Sequence, residues 1–142
     1  KKKWCPAGGK DPLFGRVDGF QIDPNMGSPL QEKSKAFALQ IIKVCNEVKR
    51  EKRESVLTNQ LVRSGTSVGA NIREAFYAHG RADFIAKLQI ALNALKECSE
   101  SEYWLELLIE SGYYEDKRIL EQCVEIKKLL ISSINTAKNN LR

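Results

Sequence analysis

With 142 residues, 42% of them hydrophobic, and 23 basic against 18 acidic side chains, the chain has the size and composition of one globular domain with a modest core. Its net charge of +5 and pI near 9.0 permit an acidic partner such as nucleic acid without arguing for one. No stretch approaches the run of roughly 18 apolar residues that a membrane span needs, and Lys1-Lys2-Lys3 is followed by no apolar signal core, so a cytoplasmic protein without membrane contact is expected.

Residues 1–27 hold three of the four prolines and five of the nine glycines, show neither helical nor strand periodicity, and read as an irregular leader ahead of a domain at 28–142. Met26-Gly27-Ser28 marks either a natural start with foreign residues ahead of it or a cloning junction. The alternative is a short peptide that docks on a partner through Trp4, Phe14 and Phe20.

Ser28-Pro29-Leu30-Gln31 is a helix start, with serine as cap, proline in the first turn and glutamine placed to reach back. Phe37, Ala38, Ile41, Ile42, Cys45 and Val48 then recur at helical spacing, and "KREKRE" from Lys49 to Glu54 forms a solvated end. Ser55 is expected to cap a second helix with the stripe Leu57, Leu61, Val68, Ile72, Ala75 and Phe76, ending near His79-Gly80. A third, long helix begins at or just before Asp83 and runs through Phe84, Leu88, Ala91, Leu92, Leu95, Cys98, Leu105, Leu108 and Ile109 to a stop at Ser111-Gly112. A fourth, from about Tyr114, has Ile119, Leu120, Cys123, Leu130, Ile134 and Ala137 as its inner face. The economical fold is all-α, an antiparallel up-down-up-down four-helix bundle. Of Cys5, Cys45, Cys98 and Cys123, three fall at apolar helix positions, which reads as buried free thiols rather than disulfides.

Small residues crowd the second helix in "LVRSGTSVGANIREAF" (61–76). A phosphate-binding P-loop would need GxxxxGK[ST] between a strand and a helix, and neither the lysine nor the strand is there. Gly65 and Gly69, four apart, share one helix face and let another helix approach closely. Arg63, Ser67, Asn71 and Glu74 form a polar stripe that Glu97, Glu100 and Glu102 of the third helix could meet. This stripe is either a satisfied polar seam, within or between subunits, or a ligand or nucleic-acid site.

Tyr103 and Trp104, with Tyr113 and Tyr114, form an aromatic neighbourhood that could stack on bases. Glu97, Glu100, Glu102, Glu106 and Glu110 would repel phosphates from it, which favours core or oligomer interface. His79 is the only histidine, lacks an HExxH or HxxxH companion, and no cysteines have zinc spacing, so no metal, cofactor or catalytic site is expected. The competing reading is a small nucleic-acid-processing enzyme built on Arg63, Asn71, Glu74 and His79. Without the leader's five basic and three acidic residues, net +3 remains, so contact with RNA or DNA would be weak and electrostatic. Its candidates are Lys49, Arg50, Lys52 and Arg53, with Lys127, Lys128, Lys138 and Arg142.

"LVRSGTSVGANIREA" together with "DFIAKLQIAL…KECSESEYWLELLIESGY" resembles the bacterial four-helix-bundle family associated with intervening sequences in large-subunit (23S) ribosomal RNA genes, over about residues 30–140. The resemblance implies a helical bundle that assembles into a homo-oligomer, with a ring-shaped pentamer among members. It also implies a distant similarity to the accessory protein of diversity-generating retroelements, which binds nucleic acid and a reverse transcriptase. The family-typical positions fall on Arg63, Ser67, Asn71, Glu74, Glu97, Glu102 and Trp104, and none is implied to be catalytic. At "IALNALKEC" three residues are added, which turns the following side chains roughly 60° short of a full revolution relative to the family pattern.

Overall fold

The computed structural model describes residues 10–11, 15–16, 29–77 and 83–139, with backbone only at 10–11, 15–16 and 83–84. Four helices dominate: α1 (Pro29–Lys52), α2 (Val56–Phe76), α3 (Asp83–Glu110) and α4 (Arg118–Asn139). Each packs on its neighbours in sequence and α1 closes on α4, so α1 and α3 lie diagonally across the all-α bundle that the periodicity predicts. In the leader, where no strand periodicity is readable, a two-residue strand β1 (Lys10–Asp11) pairs antiparallel with β2 (Gly15–Arg16). Ser28, Cys5, Met26, Trp4, Phe14, Phe20, His79, Gly80 and Arg142 lie outside the described residues, as does the side chain of Phe84.

The core stripes follow the 3.6-residue period and extend past the predicted positions. On α1 they add Leu30, Ser34 and Val44, and on α4 Ile126. Ile42 is the exception, because it leans outward and is exposed. Ala38, Leu57, Leu88, Leu92, Leu95, Ile109 and Leu120 are half-buried at the edges of the stripes. Cys45, Cys98 and Cys123 are buried free thiols. Burial pushes the Cys45 thiol up to about 11. The hydrogen bond with Cys98, 3.8 Å away, and then burial hold the Cys123 thiol well above the usual thiol range.

Three helix ends differ from the sequence expectation. Ser55 makes no capping bond at the start of α2. The preceding Glu54 does, its two carboxylate oxygens accepting from the Leu57 N–H at 2.7 Å and the Thr58 N–H at 3.0 Å. A carboxylate there also meets the positive end of the helix dipole. The three-residue connection from α1 places Arg53 at φ 52°, a left-handed conformation usually given to glycine at this position. The second helix stops at Phe76, short of His79-Gly80, and the Tyr77 N–H closes it on the Arg73 carbonyl.

At the end of α3 the stop is as expected: Gly112 at φ 81° carries a Schellman motif, its N–H on Ile109 O at 3.1 Å and the Tyr113 N–H on Leu108 O at 2.9 Å. That motif also delays α4, because the Tyr114 N–H is drawn back to Leu108 O at 3.3 Å. The fourth helix starts at Arg118, where Asp116 accepts its backbone N–H at 3.0 Å, instead of at about Tyr114.

Candidate assembly interface

The glycine face of α2 turns toward α1 of the same chain. A Cβ on Gly65 would sit 2.9 Å from Ile41 Cγ1 and 3.0 Å from its Cγ2, and one on Gly69 would lie 3.4 Å from the Ser34 carbonyl oxygen. The close approach is therefore used within the chain, and this face is not available to a partner. A matching small-residue stripe on α3, Ala91, Ala94, Cys98 and Ser101, is buried in the bundle. It meets α2 through a buried hydroxyl pair, Ser101 Oγ donating to Ser64 Oγ at 2.9 Å and also placed 2.8 Å from Glu97 O. Sequence reasoning placed Ala91 and Cys98 on the apolar side of this helix but missed Ala94 and Ser101, although the 3–4 spacing of small residues was a readable signal.

The polar stripe of α2 lies along the α2–α3 seam. Arg63 donates to Glu97 at 3.4 Å, to Glu100, and to its own neighbour Gln60 at 3.3 Å. Trp104 Nε1 donates to the same Glu100 at 3.1 Å, so one arginine and one indole share a carboxylate across the two helices. Ser67 donates to the Arg63 carbonyl at 2.6 Å and Asn71 to the Ser67 carbonyl at 2.9 Å, which leaves both engaged with their own helix. Glu74 is exposed, with no hydrogen bond or ion pair among the described residues. Glu102 does not reach Arg63; one helical turn past Cys98 it faces α4 and pairs with Lys127 at 3.2 Å. No group of three or more His, Cys, Asp or Glu among the described residues is placed to hold a metal.

The aromatic residues divide in the same way. Tyr103 and Trp104 meet edge-on at 5.3 Å, with Tyr103 exposed and Trp104 packed on the core. Tyr113 and Tyr114 lie beyond the helix stop, Tyr113 exposed and Tyr114 half-buried against the core.

The basic candidates do not converge within the chain. Lys49 donates to Asn59 at 2.6 Å, Arg50 pairs with Glu51 at 3.5 Å, and Lys52 and Arg53 stand exposed at the α1–α2 end. Lys127 is taken by Glu102, its neighbour Lys128 is exposed partway along α4, and Lys138 sits at the opposite end of the bundle.

More unusual is α3, which is apolar on more than its core side. Opposite the buried stripe, Ile85 is 71% and Tyr103 55% exposed, with Leu88, Leu92 and Leu95 half-buried. A helix with apolar residues around most of its girth is normally covered on both sides. The outward side of α1 likewise exposes Leu39 at 57% and Ile42 at 40%.

A family model described as 23S rRNA-intervening sequence protein matches residues 29–132, the four helices almost entire. The chain belongs to this family. Among solved structures, the family fold is shared with a protein of unknown function from the S23 ribosomal protein family of Bacteroides thetaiotaomicron VPI-5482. That structure is 49% identical, with 74% of this chain and 97% of that chain covered and a TM-score of 0.66. No functionally curated protein matches. Arg63, Ser67, Asn71, Glu74, Glu97, Glu102 and Trp104 all lie within the matched span, as does the whole α2–α3 seam. No described helix is long and apolar enough to cross a membrane.

Proposed function

We propose that the protein is a cytoplasmic, non-enzymatic scaffold that assembles into a closed homo-oligomer, a pentameric ring, and holds nucleic acid through basic groups repeated around it. The observation that carries this reading is the second apolar side of α3, Ile85 and Tyr103 turned away from a core that the opposite side already fills. Exposed apolar side chains in a patch are the usual mark of an interaction surface. Two of the residues an enzyme would use are engaged structurally, Arg63 by two glutamates and the Asn71 amide by its own helix, while Glu74 is exposed.

The family description, which names the intervening sequences of 23S rRNA, supports RNA as the nucleic acid. Contact would be electrostatic, through Arg50, Lys52 and Arg53 at one bundle end, which a ring gathers on one rim so that avidity rises without new contacts. Fluorescence anisotropy of a labelled single-stranded RNA with the full chain tests this. Each phosphate neutralised contributes about −0.7 to the slope of log affinity against log salt. A steep slope, reduced when Arg50, Lys52 and Arg53 are changed together to alanine, is expected. Absence of binding at low salt would remove nucleic acid from the reading, and RNA cleavage that disappears in Glu74→Ala would replace the scaffold with an enzyme.

A further inference from the structure

The two exposed apolar sides carry opposite charge. Along α1 there are six basic and three acidic residues, net +3, whereas α3 has two basic and six acidic, net −4. On the outward side of α1, Lys35 and Lys43 flank Leu39 and Ile42, and neither lysine makes an ion pair among the described residues. On α3, Tyr103 stands outward beside Glu106 and Glu110, which are likewise unpaired among the described residues. Each patch is an apolar centre flanked by two same-sign charges over about 10–12 Å of helix at 1.5 Å per residue, with one opposite charge farther along the same side, Glu32 on α1 and Lys96 on α3.

We propose that the subunit contact of the assembly is heterologous: the Lys35, Leu39, Ile42 and Lys43 side of α1 in one copy docks on the Tyr103, Glu106 and Glu110 side of α3 in the next. The proposal rests on the oligomeric reading above and deepens it by naming the two surfaces. An isologous contact would set lysines against lysines or glutamates against glutamates, and like charges brought together across an interface oppose association. Pairing α1 with α3 places opposite charges around apolar centres. Because α1 and α3 are diagonal in the bundle, their outward sides face different ways, and every copy keeps one free patch until the rotation closes a ring.

Charge reversal tests this with side chains outside the core, Lys35, Lys43 and Glu110 exposed and Glu106 half-buried, and circular dichroism checks that the fold is kept. Sedimentation velocity is measured on the wild-type full chain, on Lys35→Glu with Lys43→Glu, on Glu106→Lys with Glu110→Lys, and on the fourfold variant. Both double variants are expected to raise the concentration of half-assembly at least about tenfold, and the fourfold variant, whose charges are again complementary, to restore it. An equimolar mixture of the two double variants should associate where neither does alone, since each supplies the patch the other needs, but because the two must alternate, a ring of five keeps one like-charged contact and should not close as the wild type does. If the wild type is oligomeric while both double variants keep its mass, or if only one pair of reversals matters, the heterologous contact is wrong and the oligomer stands. A monomeric wild type would overturn the oligomeric reading itself.

Discussion

Replacing Gly65 by alanine sets two opposed effects against each other, and the geometry decides between them. An alanine in a helix interior is favoured over glycine by about 1 kcal/mol. At Gly65, however, the new methyl would stand 2.9 and 3.0 Å from two carbons of Ile41, which is fully buried and β-branched, so it has little rotamer freedom with which to retreat. Overpacking of this kind costs about 1–3 kcal/mol. The net is a destabilisation of roughly 0–2 kcal/mol, or up to about 8 °C in Tm at some 4 °C per kcal/mol. Gly69→Ala is the control: its methyl meets the Ser34 carbonyl at an ordinary 3.4 Å, so the helix preference is kept and Tm should rise by a few degrees, about 0.5–1 kcal/mol. Adding Ile41→Ala to Gly65→Ala should cost less than the two single changes summed, by about 0.5–3 kcal/mol, because the new methyl enters the space the isoleucine leaves. Thermal and urea unfolding of the four variants measure all of this. If Gly65→Ala raises Tm as much as Gly69→Ala does, the close packing of α2 on α1 at Ile41 is refuted.

Glu54→Ala should lower stability by about 1 kcal/mol through loss of the cap on α2, while Ser55→Ala should change it little, and urea unfolding separates the two. In a Cys5→Ser background, Cys45, Cys98 and Cys123 should resist an aromatic disulfide reagent at pH 8 and react only at the rate of unfolding; prompt reaction of any of them in the native protein would contradict their burial. The Arg118 side chain, by its hydrogen bonds, holds the Asp116 carboxyl at about 2, below its ordinary 3.8. A depressed carboxyl contributes stability that is present above its ordinary value and lost as pH falls from about 4 to 2, so Asp116→Asn should flatten the decline of Tm in that window, modestly because the pair is exposed.

The helices were legible because burial repeats every 3.6 residues along α1, α2 and α4, and Gly112 announces the end of α3. Two helix starts were not legible, for a common reason: caps are chosen by geometry among several competent side chains. Glu54 and Ser55 could both receive an N–H, and the sharp turn at Arg53 gives the place to Glu54. At α4 the tyrosines look helical until the Schellman motif reclaims the Tyr114 N–H, an effect set by the preceding helix.

Among site residues, the facing of Arg63 to Glu97 and Glu100 could be anticipated from charge and spacing, but the destination of Glu102 could not, since one turn of α3 decides whether a carboxylate points to α2 or α4. The glycine stripe identified a close helix contact without identifying its partner, which is α1. The outward patches on α1 and α3 escaped notice because Leu39 and Ile85 look like ordinary scattered apolar residues until the core positions around them are known.

Native mass spectrometry of the full chain at micromolar concentration tests the central claim most directly, because it counts subunits. One discrete closed species of five copies, unchanged in mass as concentration rises, is the expected result. A monomer at every concentration, or an open ladder of masses that lengthens with concentration, would contradict a ring held by the outward sides of α1 and α3.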